Sequence, residues 1–300
     1  MRRETGQTYR NGMDQSPEIL PPGQYLPQAE PDYYAAPHPE PTYTRPPQRS
    51  HWAMAPATYT LVGINCLVYL WMCLRGFSPW APTTLQLYYS GANIGPLVLA
   101  HHQWWRLITA MFVHGGIIHL GVNMWCLWNL GLLAEPLMGP VGVFAAYLLT
   151  GYAGDVLSVA RHPGVGGGPQ GVVSVGASGA IFGLAGVLII LLKSPLLPIP
   201  KADLSKLRRS VIWFAVLNLV LDAGIDFSHF FIQVDNMAHI GGFLSGMALG
   251  LPMVPRIGSR PEIFRTRRKL AIIGVTFLLL LLTFGVYSFW MGHGSAPRMR

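Results

Sequence analysis

Charge is what this 300-residue sequence lacks. Only 11% of it is Asp, Glu, Lys or Arg, against roughly a quarter in an ordinary soluble domain. So few charges cannot cover the surface of a water-soluble protein of this length, which excludes the soluble globular classes. Cysteine is also scarce. Cys66, Cys73 and Cys126 sit in apolar stretches with no CxxC pair, so neither a disulfide framework nor a cysteine-based metal site is indicated. No histidine is followed by glutamate, which removes the HExxH of a zinc protease. No Tyr-Asp pair occurs, so the GYAGD ending at Asp155 lacks the partner an aspartyl protease of the membrane would need. GxxxxGK[ST] is missing as well, and the Gly-rich stretch 163–171 reads as a flexible loop rather than a phosphate cradle.

What is present is apolar. Hydrophobic residues make up 51% of the chain and the mean hydropathy is +0.36. They fall in runs of about 18–22 residues, the length that crosses a hydrocarbon core of roughly 30 Å. Seven spans are expected, near 57–75, 115–134, 141–160, 177–193, 210–225, 236–254 and 270–290. The expected fold class is an all-α polytopic membrane protein, with the lipid bilayer as its first partner.

The net charge of +8 belongs to topology rather than to nucleic-acid binding. Lys193, Lys201, Lys206, Arg208 and Arg209 crowd the 193–209 linker, and Arg256, Arg260, Arg265, Arg267, Arg268 and Lys269 the 255–269 linker. The 226–235 linker has only Asp226 and Asp235. The positive-inside rule therefore puts the two basic linkers and the N-terminal tail in the cytoplasm. Ten of the first fifty residues are proline, and residues 1–55 read as a disordered cytoplasmic tail without the pattern of a signal or transit peptide. The linker 76–114 carries no charge between Arg75 and Arg106 and is expected to lie partly in the membrane interface.

Polar groups inside spans are expensive, so each is a functional candidate. The second span opens with HGGIIHLGVN (His114, His119, Asn123), the fourth with VGASGAIFG (Ser178), and the sixth with DNMAHIGGFLSG (His239). These three spans run in one direction, and at 1.5 Å rise per residue their polar residues share a depth of roughly 5–12 Å below the outer surface. Gly179, Gly183 and Gly186 on the fourth span and Gly242, Gly246 and Gly250 on the sixth form a small-residue seam that allows close backbone approach. A serine hydroxyl needs its base at about 2.6–3.2 Å, which such a seam permits. Ser178 is then the candidate nucleophile and His239 its base. The free N–H of Ser178 at a helix start, with Asn123 and His119 four residues apart on one helix face, supplies donors for an oxyanion. Asp235 is expected to cap the sixth span rather than to join a triad.

WWRLITAMFVHGGIIHLGVN, GASG and AHIGG, in this order, resemble the rhomboid intramembrane serine proteases over residues 57–254. The resemblance implies a six-helix bundle with a Ser178–His239 dyad and with His119 and Asn123 at the oxyanion hole. His114 completes the HxxxxHxxxN pattern, and Gly176 and Gly179 flank the serine. Arg106, paired with Trp105, corresponds to an element bracing the first loop, and Glu135 with Gly139 to an ExxxG motif at the cytoplasmic end of the second span. Phe182 takes the place of an aromatic that packs on the catalytic histidine; many relatives have tyrosine there, so a hydroxyl contact is missing. The seventh span lies outside this core and resembles a six-plus-one arrangement.

The chain is thus expected to comprise a tail (1–55), a rhomboid-like catalytic membrane domain (56–255), and a basic linker with the seventh helix and a short C-terminal tail (256–300). Its expected function is an intramembrane serine endopeptidase, cutting transmembrane substrate proteins near the extracytoplasmic side of a bacterial inner membrane. No cofactor and no metal is expected. Clients should enter past the fifth span, where Leu221 would act as part of a gate. The alternative is a catalytically silent rhomboid-like protein that binds membrane clients.

Overall fold

The computed structural model describes residues 55–164, 172–194, 197, 200–224, 235–256 and 260–294. The tail up to residue 54, most of the 163–171 loop, the 225–234 segment with Asp226, and the side chain of Leu221 lie outside the described residues. Among those described, the architecture is helical. One isolated bridge, Asn93 to Ser174, is its only β pairing. The helices are α1 (Pro56–Leu74), α2 (Thr84–Ser90), α3 (Gly95–Leu99), α4 (Arg106–Thr109), α5 (Ile117–Arg161), α6 (Ser178–Leu191), α7 (Lys201–Gly224), α8 (Asn236–Gly250) and α9 (Pro261–Gly294). Of these, α1, α5 and α9 are long and apolar enough to cross a membrane. The lipid-facing side of α9 carries exposed Ile273, Phe277, Leu278, Leu281 and Phe284, a patch no soluble monomer would leave uncovered.

The start of α1 shows how a sequence solves a capping problem at long range. Pro56 stands in the first turn, where its missing N–H costs nothing, but Ala55 offers no capping side chain. Glu135 caps the helix instead. Its carboxylate accepts from the Ala57 N–H (2.8 Å), the Thr58 N–H (2.9 Å) and the Thr58 hydroxyl (2.7 Å). Glu135→Ala should strand these three buried donors and destabilise the fold by about 3 kcal/mol or more. Thermal unfolding in detergent should show this loss, with Glu135→Gln recovering part of it.

The expected second and third spans follow one another without a linker, as two helices joined by a sharp reversal. Within α5, Gly139 has φ 72° and ψ 168° and lies between Pro136 and Pro140, so the helical ladder is broken there. The bonds to α1 show the reversal. Ile117 N–H donates to Pro79 O, beside the end of α1 where the Tyr69 hydroxyl also meets Pro79 O. Glu135 holds the opposite end of α1. Tyr147, past the break, is back at the middle, where Asn65 Nδ2 donates to its hydroxyl (3.0 Å). The carbonyl left over at Met138 accepts from Arg268 Nη1 of α9 (2.6 Å).

Helix α7 begins at Lys201, nine residues before the expected span, and α9 at Pro261. Much of both basic linkers is therefore helical, as Lys and Arg are good helix formers. Helix α6 is the centre of the bundle. Every residue from Gly179 to Leu191 is buried, and it packs chiefly on α8 and α5. At 14 residues it is about 21 Å long, shorter than the hydrocarbon core. Residues 76–114 form a folded cap of short helices rather than a loop. The cap is organised around the buried Arg106, whose Nη1 donates to Tyr88 O (2.9 Å) and Ala92 O (2.8 Å) and whose Nε donates to Gln103 Oε1 (2.6 Å). The guanidinium also lies 4.6 Å from the Trp105 ring centre, a favourable cation–π contact.

Candidate active site

The serine is presented by a short segment that glycine makes possible. Gly176 has φ +114°, and a Cβ there would stand 2.8 Å from His119 Nε2. Its N–H donates to Ala110 O (2.9 Å), tying the segment to the cap. Ala177 N–H donates to His114 Nε2 at 3.5 Å, and the His114 Nδ1–H faces Phe112 O at 3.2 Å. The fully buried imidazole thus accepts on one side and donates on the other, as the neutral ring does. It clamps the serine segment to the end of the cap.

Ser178 then opens α6, half-buried, with its Oγ 2.7 Å from His239 Nε2. His239 is 5% exposed. Its ring stacks on Phe182 at 4.4 Å between centroids and 17° between planes, which fixes its orientation without a hydroxyl. Asp235 caps α8 through bonds from the N–H groups of Met237 (3.1 Å) and Ala238 (3.2 Å).

Close approach of α6 and α8 is what allows the 2.7 Å contact. A Cβ on Gly242 would lie 2.0 Å from Gly179 O, and one on Gly246 2.0 Å from Gly183 O. On the other helix, a Cβ on Gly186 would lie 2.3 Å from Phe243 O. These backbones touch, as the small-residue seam requires.

On the near end of α5, Asn123 Nδ2 donates one hydrogen to His119 O (3.0 Å) and keeps a second. His119 Nδ1 accepts from Gly115 N–H (3.3 Å). The position a Gly176 Cβ would occupy is 3.6 Å from Asn123 Nδ2, so both side chains flank the serine segment. Among the described residues, Ser178, His239, His119, Asn123, His114, Gly176, Gly179, Phe182, Gly242 and Gly246 gather in this one region. Arg106 stands apart from it in the cap, and Glu135 lies at the opposite end of the first half of α5. Asp155, set aside above for want of a Tyr-Asp partner, is buried and accepts a bond from Asn93. Asn93, Ser158 and Ser174 were not singled out from the sequence, although Ser158, a polar residue in an apolar run, carried a signal that could have marked it. No group of three or more His, Cys, Asp or Glu side chains among the described residues is arranged to hold a metal ion.

Comparison with known proteins gives a consistent likeness. The family model described as the Rhomboid domain matches residues 101–256. The chain is 33% identical over 228 residues to RHOMBOID-like protein 2 of Arabidopsis thaliana, covering 72% of this chain and 67% of that protein. It is 31% identical over 207 residues to Rhomboid protease GluP of Bacillus subtilis, covering 68% of this chain and 36% of the relative. It is 32% identical over 155 residues to Rhomboid-type serine protease 2 of Emericella nidulans, covering 51% and 27%. The chain thus spans about a third of the length of the Bacillus protease.

Proposed function

The chain belongs to the rhomboid family of integral membrane proteins, and we propose that it is an intramembrane serine endopeptidase acting through Ser178 and His239. The observation that carries this reading is the 2.7 Å contact between Ser178 Oγ and His239 Nε2, at the start of a helix buried on every side. Residues 56–255 form the catalytic unit, with α9 added to it.

The chemistry follows from the geometry. His239 Nε2 takes the Ser178 proton as Oγ attacks the scissile carbonyl carbon of a client. The carbonyl oxygen becomes an oxyanion, held by the Ser178 N–H at the helix start, the second Asn123 hydrogen and His119. The tetrahedral intermediate collapses as His239 returns the proton to the leaving amine, leaving an ester on Ser178. Water, deprotonated by His239, then hydrolyses the ester and releases the carboxylate. Asn123→Ala and His119→Ala should each lower turnover by about 10- to 1000-fold, as loss of one oxyanion donor does. Protein yield should be little changed. Wild-type rates in both variants would remove this end of α5 from the reaction.

The basic segments 193–209 and 255–269 follow the far ends of α6 and α8 from Ser178 and His239. By the positive-inside rule, that end faces the cytoplasm and Ser178 lies near the extracytoplasmic face. The scissile bond then lies near the outer end of a client's transmembrane helix. A helical peptide bond is shielded by its own hydrogen bonds, so the client must unwind locally, which Gly and Pro make cheaper.

The test is a reporter with a transmembrane helix, in two versions that insert equally well: one with an outer Gly-Pro break and one uniformly Leu-rich. The first should be cut by wild type and the second spared. Equal cutting of both sinks the unwinding argument. No cutting of either sinks the protease reading.

A further inference from the structure

Asp155 and Ser158 stand about one turn apart on α5, in a helix otherwise apolar along this stretch, and the mechanism above uses neither. They are 6% and 4% exposed. Each reaches a different half of the Ser178–His239 pair. The Asp155 Oδ1 and backbone carbonyl both accept from Asn93 Nδ2, at 3.0 Å each. Asn93 is bridged to Ser174 by two backbone bonds of 2.9 and 3.0 Å. From Ser174 the chain runs directly through Gly176 to Ser178. On the other side, the Ser158 hydroxyl donates to Asp235 Oδ2. The second oxygen of Asp235 caps α8, and Asp235 O accepts from His239 N–H (3.3 Å).

The two arms share one root, and the side chains that make their hydrogen-bonded links are buried. Asn93 is 1%, Ser174 5% and Asp235 8% exposed. Bonds of this kind hold because no water is at hand to replace a lost partner. The same turn also seats α8 directly, since a Cβ on Gly154 would lie 2.4 Å from Ala238 O. We infer that Asp155 and Ser158 are positioning residues, a single turn of α5 that sets the register of the serine segment against the histidine helix. This rests on the proposed protease reading and deepens it: the residues touch neither substrate nor the reacting atoms.

The experiment measures kcat and KM on the Gly-Pro reporter for purified full-length protein, normalised to folded enzyme. Thermal unfolding and the rate of Ser178 labelling by a fluorophosphonate are measured in parallel. Asp155→Ala, Ser158→Ala and Asn93→Ala should each lower kcat by about 10- to 100-fold, the cost of a misplacement near 1 Å, while KM stays within about twofold of wild type. Labelling should slow in step, since it reports on the nucleophile without a client. Asp155→Asn keeps an acceptor for Asn93 and should recover most of the loss.

A purely structural role would lower the unfolding temperature and leave kcat per folded molecule within about twofold of wild type, and that result overturns the inference. Should Asp155→Ala fail to fold, Ser158→Ala and Asn93→Ala decide by the same criterion. Wild type and Ser178→Ala run alongside. If wild type cuts and Ser178→Ala does not, the protease reading stands whatever the Asp155 variants do. If wild type does not cut, both fall.

Discussion

Replacing Ser178 with alanine should abolish cleavage of a transmembrane reporter, by about 10⁴- to 10⁶-fold, and His239→Ala should do the same. The Ser178 hydroxyl is a poor nucleophile until its proton has somewhere to go, and His239 Nε2 at 2.7 Å is the acceptor within reach. Removing either partner removes the same step, so the double variant should be no worse than either single one. The fold should survive Ser178→Ala. The residue is half-buried at the first position of α6, where alanine is a good helix former and no capping bond is lost. A serine-directed fluorophosphonate should label wild type and fail on Ser178→Ala. Labelling that persists in Ser178→Ala means another nucleophile and ends the dyad reading.

Gly242→Ala and Gly246→Ala should cost nearly as much activity by a different route. Each added methyl would stand 2.0 Å from a backbone oxygen of α6, Gly179 O or Gly183 O. A backbone carbonyl in a buried helix cannot swing aside as a side chain could, so α8 must move off by roughly an ångström. Overpacking of this kind costs about 1–3 kcal/mol, occasionally more. The same shift lengthens the Ser178–His239 contact, and a misplacement of that size costs about 100-fold in rate. Both variants should therefore show a lowered unfolding temperature together with a large loss of cleavage.

The controls follow from the same geometry. A Cβ added to Gly274 or Gly285 on α9 would meet nothing within 4 Å, so Gly274→Ala and Gly285→Ala should be neutral or stabilise α9 by up to about 1 kcal/mol through helix propensity. Wild-type unfolding and cleavage in Gly246→Ala would mean the α6–α8 seam is not held in contact.

Much of this protein was legible one segment at a time. Charge scarcity and the length of the apolar runs identified a helical membrane protein. The polar residues that open three of those runs marked where chemistry could lie. The Asp235 cap could be read because N-capping is settled within a single turn. Where expectation and structure part, the cause is again local. The stretches 115–134 and 141–160 read as two separate spans and are two helices, but how sharply the chain turns between Pro136 and Pro140 is decided by the Gly139 backbone angles. The segments 193–209 and 255–269 read as linkers because they are charged, although charge does not prevent Lys and Arg from being helical.

Periodicity, hydropathy and motif are properties of neighbours in the chain. They were therefore enough to tell that the apolar stretches are helical, where along each one the polar residues lie and which family they resemble, though against seven expected spans only three described helices have the length and composition to cross a membrane. Which of those residues meet became known from the packed bundle alone. Ser178 and His239 are 61 residues apart, Asn93 and Asp155 are 62, and Glu135 is 77 from the Thr58 it caps. Nothing in one segment encodes its distance to another. That distance is set when glycine-lined backbones pack to contact and each buried donor must find an acceptor inside the bundle, since the membrane offers none. Asp155 shows the difference most clearly: tested against a sequence motif it had no partner, while in the fold its partner is an asparagine in the cap.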